Sequence, residues 1–330
     1  MSISSRRRGA AVAVGAVIAL AIASVAVGAS TIANPKFNLK ALKGSITADG
    51  SSTVGPYTAA AAELFARAGA KGVRITVGIS GTGGGFERFC KGEIDLSDAS
   101  RPMKISEAQA CKENGIGGWR AFTVANDALS VVVNRQNTWA TCLSVEELKK
   151  IWEPGSKVNS WKDVRAGFPD VSLKLFGPGT DSGTFDYFTE VINGKSRASR
   201  SDYQASEDDN VLVQGVAGER GGLGYFGFSY YEENQDRLRA VQIRNPQSGQ
   251  CVSPGIKTVQ DNSYKPLGRP LFVYAKGTSF KRTEVQAFID YILDNETAIA
   301  KRARFVPLTP KQLKVQRNRL HYAIQLARKG

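Results

Sequence analysis

The sequence predicts an α/β protein of two domains, and three observations predict it. A strand, a Gly/Ser turn and a helix follow one another three times, at 44–68, 73–90 and 171–192. Two long apolar runs, 124–134 and 264–275, read as strands able to carry the chain from one domain into another and back. With 330 residues, 42% of them hydrophobic, the chain can bury two cores, which excludes disorder and fits no repeat array.

The first thirty residues stand apart. Arg6, Arg7 and Arg8 precede an apolar run from Ala10 to Val27 that ends in the small residues Gly28, Ala29 and Ser30. This is the pattern of a secretory signal peptide cleaved near Ala29, and the run is also nearly long enough to stay in the membrane as an anchor. Its Ala and Gly content makes it only moderately hydrophobic, which favours cleavage. Ser5-Arg6-Arg7 faintly resembles a twin-arginine signal but lacks the hydrophobic residue expected after it, and with no cysteine nearby a lipid-modified terminus is not expected. Residues 31–43, rich in Asn, Pro and Lys, read as a tether.

Export makes the four cysteines interpretable as disulfides, for which three pairings exist. Cys90 with Cys111 and Cys142 with Cys251 is the preferred pairing, because each bridge then stays inside one domain. A metal site is disfavoured: there is no CxxC spacing and His321 is the only histidine. The formal charge of +14 suits nucleic acid, an anionic surface or a collector of anions, and secretion argues against the first. Much of the excess lies in the last thirty residues and reads as a solvated helix face.

In chain order, 44–48 is a short strand, 49–56 a turn and 57–68 an alanine-rich amphipathic helix. The strand 73–79 runs into the loop Ser80-Gly-Thr-Gly-Gly-Gly85 and a helix through Phe86, Phe89 and Cys90. Residues 93–102 read as a short strand ending in a turn that displays Asp98, Ser100 and Arg101. After the strand 124–134, Ser144 and Glu147 form a capping box that starts a helix over 143–152 and a new domain. The alternating run 171–176 is a strand, followed by a turn through Gly177, Pro178 and Gly179 and a helix beginning at Ser182-Gly-Thr184. Residues 221–227 read as a tightly packed strand. After 264–275 has carried the chain back, helices over 281–293 and 310–327 complete the first domain.

The Gly-rich stretches are tested against nucleotide motifs and fail. Phe86 stands where the last glycine of GxGxxG is required, no GK[ST] follows, and before Gly194-Lys195-Ser196 the first glycine position holds Thr189. What such turns and helix starts offer is backbone NH groups with partial positive charge, a place for an anion. For Ser182 and Thr184 the alternative is a plain N-cap.

Seven motifs, DGSSTVGP, SGTGGGFERF, IDLSDASRP, DALSVVVN, LSVEELKKIW, DSGTFDYF and GGLGYFGFSYYEEN, together resemble the secreted phosphate-binding protein of the bacterial high-affinity phosphate ABC importer, in that family's order and across 44–330. The resemblance implies a two-lobed type II periplasmic-binding-protein (Venus flytrap) fold, with mixed sheets flanked by helices and the ligand in the inter-domain cleft. Domain 1 is then 44–126 with 268–330, and domain 2 is 127–267. It implies a monomeric protein without cofactor, not an enzyme, periplasmic or at the cell surface; the apolar run adds a membrane tether through 9–29 as the alternative to cleavage. Such a protein captures inorganic phosphate and delivers it to the permease and ATPase subunits of an ABC importer. The alternative ligand is another oxyanion such as sulfate, and a phosphatase-like enzyme or an adhesion protein stands further off.

Carried over by motif, the ligand residues are Ser52 and Thr53, Thr82 and Gly83 with Ser80 beside them, and Ser182, Gly183 and Thr184. Two positions depart from the family. Pro178 stands where an arginine often precedes the Ser-Gly-Thr serine by four residues, and Ser100 stands where the third loop often has aspartate. Arg101 is expected to supply the missing guanidinium, since planar bidentate donation suits an oxyanion; otherwise it pairs with a carboxylate such as Asp98 or Asp181. The acceptor for a phosphate proton is open among Asp49, Asp98, Asp127 and Asp181. Catalysis by Ser182 would need a base, and His321 in the basic terminal helix is not placed to be one.

Overall fold

The computed structural model describes residues 37–180, 182–206 and 208–329. The expected signal or anchor lies outside these, as does Asp181. The tether is shorter than expected, because Leu39 and Leu42 are buried in the core against the first helix and sheet.

The first two strand–turn–helix units form as expected: β1 (Gly44–Gly50), α1 (Gly55–Arg67), β2 (Val73–Val77) and α2 (Gly81–Cys90). One detail differs. The glycine run is the first turn of α2 rather than a loop before it. Its reason is contact: a Cβ on Gly85 would lie 2.5 Å from Gly50 Cα, so only glycine lets the helix rest on the end of β1. β3 (Leu96–Ala99) follows, then α3 (Ile105–Glu113), which the sequence reading missed. Asp98 lies in β3 with no exposed surface, so it is not displayed in a turn as expected.

The long strand β4 (Arg120–Asn134) leads to β5 (Cys142–Leu143) and α4 (Val145–Trp152). The capping box is present, Ser144 Oγ accepting from Glu147 N at 3.2 Å and Glu147 Oε2 from Ser144 N at 2.8 Å. α5 (Trp161–Val164) precedes β6 (Lys174–Pro178), so Gly177 and Pro178 extend a strand instead of turning. They do so because β7 (Gln204–Ser206) pairs with them in parallel, opposing Pro178 to Ser206. Between these strands lies α6 (Gly183–Phe188), which continues as a π-helical turn, Thr189–Asn193. α7 (Asp209–Gly218), β8 (Gly222–Gly227), α8 (Phe228–Glu232), β9 (Leu238–Ala240), β10 (Gln242–Arg244), β11 (Cys251–Val252) and α9 (Ile256–Gln260) come next. β12 (Gly268–Ala275), α10 (Thr283–Asp294), α11 (Glu296–Arg302) and α12 (Pro310–Lys329) close the chain.

The main sheet runs β2-β1-β3-β12-β4-β8-β6-β7, with β9 also on β4; β11-β10-β5 is a separate small sheet. β12 lies antiparallel to β4, and the partner of β4 changes along its length: β12 covers the first part and β8 the second. The buried apolar residues follow this change. One large cluster joins Ile46, Tyr57, Phe65, Val124, Leu271 and Phe288; the other joins Leu129, Trp152, Phe188, Tyr225 and Leu267. Cys90 is bonded to Cys111 and Cys142 to Cys251, the preferred pairing, fastening α2 to α3 and β5 to β11. Among the described residues no helix is long and apolar enough to cross a membrane.

Candidate functional site

Three helix starts meet at one polar cleft of about 250 Å³, those of α1, α2 and α6. Ser52, Thr53, Thr82, Gly83, Ser100, Arg101 and Gly183 line it, together with Ser51, Gly81, Lys104, Asp186, Glu190 and Ser196. Ser182 and Thr184 stand just behind Gly183, where Ser182 caps α6 by accepting from Thr184 N at 3.1 Å. Ser80 is the N-cap of α2, with its own N–H bound to Asp49 Oδ1 at 3.0 Å. Residues far apart in sequence come together because every connecting loop leaves the carboxyl end of a strand of the same sheet.

The hydroxyls of the cleft are oriented by fixed donors. Ser51 Oγ accepts from Thr53 N at 3.2 Å, Thr53 Oγ1 from Arg269 Nη2 at 3.0 Å, and Thr82 Oγ1 from Ser100 N at 3.2 Å. Each N–H approaches oxygen, so each hydroxyl proton is left to point elsewhere. Thr82 and Ser100 share it between them, Oγ1 to Oγ 3.1 Å. A cluster of oriented O–H and helix-start N–H groups is a set of donors, and a set of donors selects an acceptor-rich ligand.

The arginines of the site each face a carboxylate. Arg101 does not pair with Asp98, and Asp181 lies outside the described residues; the guanidinium forks onto Glu107, Nη1 to Oε2 at 2.9 Å and Nη2 to Oε1 at 2.8 Å. Burial works against the Glu107 carboxylate, but the Arg101 guanidinium outweighs it and holds that carboxyl below its ordinary range. Arg269, which no motif pointed to, is buried behind Thr53, bonded to Asp127 Oδ2 from Nε at 3.3 Å and Nη2 at 3.2 Å. Its signal in the sequence, a lone arginine in the apolar run 264–275, is legible only once β12 and β4 are in register.

The expected acceptor carboxylates have other employment. Asp49 is buried, taking Gly50 N, Ser80 N and Arg88, and so pins the first loop to the second. Asp98 accepts from Thr58 Oγ1 at 2.8 Å, and burial lifts its carboxyl to about 7. Asp127 is paired with Arg269. Among the described residues, the carboxylates that line the cleft are Asp186 and Glu190, on and just after α6. Asp186 Oδ1 is buried and has no hydrogen-bond donor; Arg197 Nε comes within 3.2 Å but off the bonding direction. Burial raises the Asp186 carboxyl above its ordinary range, with Arg197 opposing.

Among the described residues no group of three or more His, Cys, Asp or Glu is arranged to hold a metal. The sole histidine, His321, lies exposed on α12, its Nε2 2.9 Å from Gln325 Nε2.

A family model described as a PBP superfamily domain matches residues 35–296. The protein SphX of Synechococcus elongatus is 44% identical over 298 residues, 89% of this chain and 87% of its own. The phosphate-binding protein PstS of Staphylococcus saprophyticus is 37% identical over 84% of this chain and 85% of its own. The crystal structure of a possible phosphate binding protein from Planctomyces limnophilus superposes with a TM-score of 0.82 at 46% identity, covering 86% of this chain and 99% of that one. The architecture, helices packed on a mixed sheet with the cleft at its loop edge, is that of the type II periplasmic binding proteins. With a family model spanning most of its length and such relatives beside it, the chain belongs to the PBP superfamily, among the PstS-type phosphate-binding proteins.

Proposed function

We propose that the protein captures inorganic phosphate in this cleft, outside the cytoplasm, and presents it to the permease of an ABC importer. The observation that carries the reading is the set of oriented hydroxyls: Ser51, Thr53 and Thr82 each accept from a fixed N–H, which turns the protons of Ser51 and Thr53 toward a ligand oxygen and leaves Thr82 and Ser100 one proton to offer between them. The ligand set is Ser52, Thr53, Thr82, Gly83, Ser100, Arg101 and Gly183, with Ser182 and Thr184 holding the start of α6 in place. Arg101 can serve the anion only by sharing its fork with Glu107.

Asp186 takes the role that Asp49, Asp98, Asp127 and Asp181 were considered for. A carboxylate lining the cleft accepts a hydrogen bond from the proton that phosphate carries at neutral pH and repels sulfate, which carries none. Closure is a movement of 44–126 with 268–330 against 127–267, a division supported by the two apolar clusters and by the partner change along β4. Val306, buried in the second cluster, is an exception to that boundary. The reading is one of binding and delivery, and the sole histidine, His321, lies on α12 beside Gln325.

Isothermal titration of the purified protein with phosphate, then with sulfate as competitor, tests the reading. Phosphate is expected to bind and sulfate to compete at least a hundredfold more weakly. Equal binding of the two would remove Asp186 from its role, and binding of neither would remove the function.

A further inference from the structure

Arg269 belongs to none of the motifs that mark the cleft, yet it touches both walls. We propose that Arg269 is the positioning residue of the anion site: it turns the Thr53 hydroxyl into an obligate donor toward the ligand and ties that state to the opposite wall through Tyr187. The inference rests on the oxyanion-binding reading above.

The chemistry is that of a donor meeting a hydroxyl. Arg269 Nη2 donates to Thr53 Oγ1 at 3.0 Å, and a guanidinium has no acceptor, so the Thr53 proton cannot point back. Its described alternative is Gly183 O, at 3.5 Å the limit of a hydrogen bond. A ligand oxygen in the cleft is a better acceptor. The guanidinium of Arg269, a residue only 8% exposed, thus lends its polarity to the anion through Thr53 without meeting it.

The orientation of the fork is fixed on every side. Register sets Arg269 directly opposite Asp127 in the β12–β4 pair, and Asp127 Oδ2 takes both Nε and Nη2. Ser100 O lies 3.4 Å from Nη1, so the third loop is held by the same group. On the remaining face the guanidinium carbon is 3.4 Å from the centroid of the Tyr187 ring, and the Tyr187 hydroxyl donates to Pro266 O just before β12. Thr53 and Ser100 border the cleft from the side of the first cluster, whereas Tyr187 is buried in the second. One side chain therefore contacts both walls at the level where β4 and β12 pass between the clusters.

A pair that only fastened β12 to β4 would give a different result on mutation. Arg269→Gln with Asp127→Asn removes both charges together and leaves no orphaned carboxylate. In the full chain, titrated with inorganic phosphate, this double variant is expected to bind at least tenfold more weakly than the parent. Thr53→Ala is expected to cost at least tenfold in the parent but less than about threefold in the double variant, since the two act as one unit. Phosphate binding by the double variant within twofold of the parent overturns the inference, as does an equal cost of Thr53→Ala in both backgrounds. If the double variant does not fold, Arg269→Lys decides: its single ammonium cannot reproduce the fork. A several-fold weaker affinity at an unchanged melting temperature supports the role, and affinity within twofold overturns it. Failure of the parent itself to bind phosphate or sulfate would instead overturn the oxyanion reading and this inference with it.

Discussion

Gly183 and Thr53 come from opposite sides of the cleft and meet: a Cβ on Gly183 would lie 2.7 Å from Thr53 Oγ1 and 2.9 Å from Ser52 Oγ. The two walls can approach this far only because residue 183 has no side chain. Gly183→Ala is expected to hold the walls apart and weaken phosphate binding about tenfold or more, while the melting temperature changes little because Gly183 lies at a half-exposed helix start. Calorimetric titration beside a thermal melt checks both halves of the expectation.

Glu107 competes with the ligand for Arg101. Glu107→Gln loosens the fork and is expected to tighten phosphate binding several-fold, whereas Arg101→Ala is expected to weaken it by roughly tenfold, the scale of one charge-assisted hydrogen bond. Phosphate affinity unchanged in both variants would leave Arg101 as the anchor of α3 alone.

Asp98 makes stability depend on pH. Its folded carboxyl titrates at about 7, lifted by burial and by nearby Asp49, against 3.8 for the ordinary group. The folded state therefore keeps a proton that the unfolded chain releases near pH 4. Its protonation favours the fold fully below that point, and the advantage is lost as pH rises from about 4 through 7. At ~1.4 kcal/mol per pKa unit the loss is a few kcal/mol. Glu296, also lifted to about 7 by burial, acts with the same sign. Urea unfolding at pH 5 and pH 8 is expected to give a smaller difference for Asp98→Asn than for the parent.

The two disulfides differ in the length of chain they close, with separations of 21 residues for Cys90–Cys111 and 109 for Cys142–Cys251. Loop-closure entropy predicts the larger contribution from the second, on the order of 4 to 5 kcal/mol against about 3. Guanidinium unfolding of Cys142→Ser/Cys251→Ser and of Cys90→Ser/Cys111→Ser is expected to show that order.

How much was legible follows the range of each interaction. β1, α1, β2 and α4 were readable because alternation, helical spacing and the Ser144–Glu147 box are written within a dozen residues. α3 and α7 were not. Their apolar spacing is weak, and packing against neighbours decides them. Pro178 reads as a turn in the sequence because its partner strand, β7, lies 26 to 28 residues further on.

By itself the sequence determined the class of fold and most hydroxyls and glycines that line the cleft, since these sit in short stretches whose chemistry is local; the disulfide partners followed from the domain division, which keeps each bridge inside one domain. Only the tertiary structure decided where the charges go. Arg101 pairs with Glu107, Asp98 is buried under α1, Asp186 takes the cleft face, and Arg269 reaches Thr53 across a separation of 216 residues. Such a pairing depends on strand register, on β12 setting Arg269 opposite Asp127, and register is fixed by the packing of whole faces that no single stretch of sequence contains.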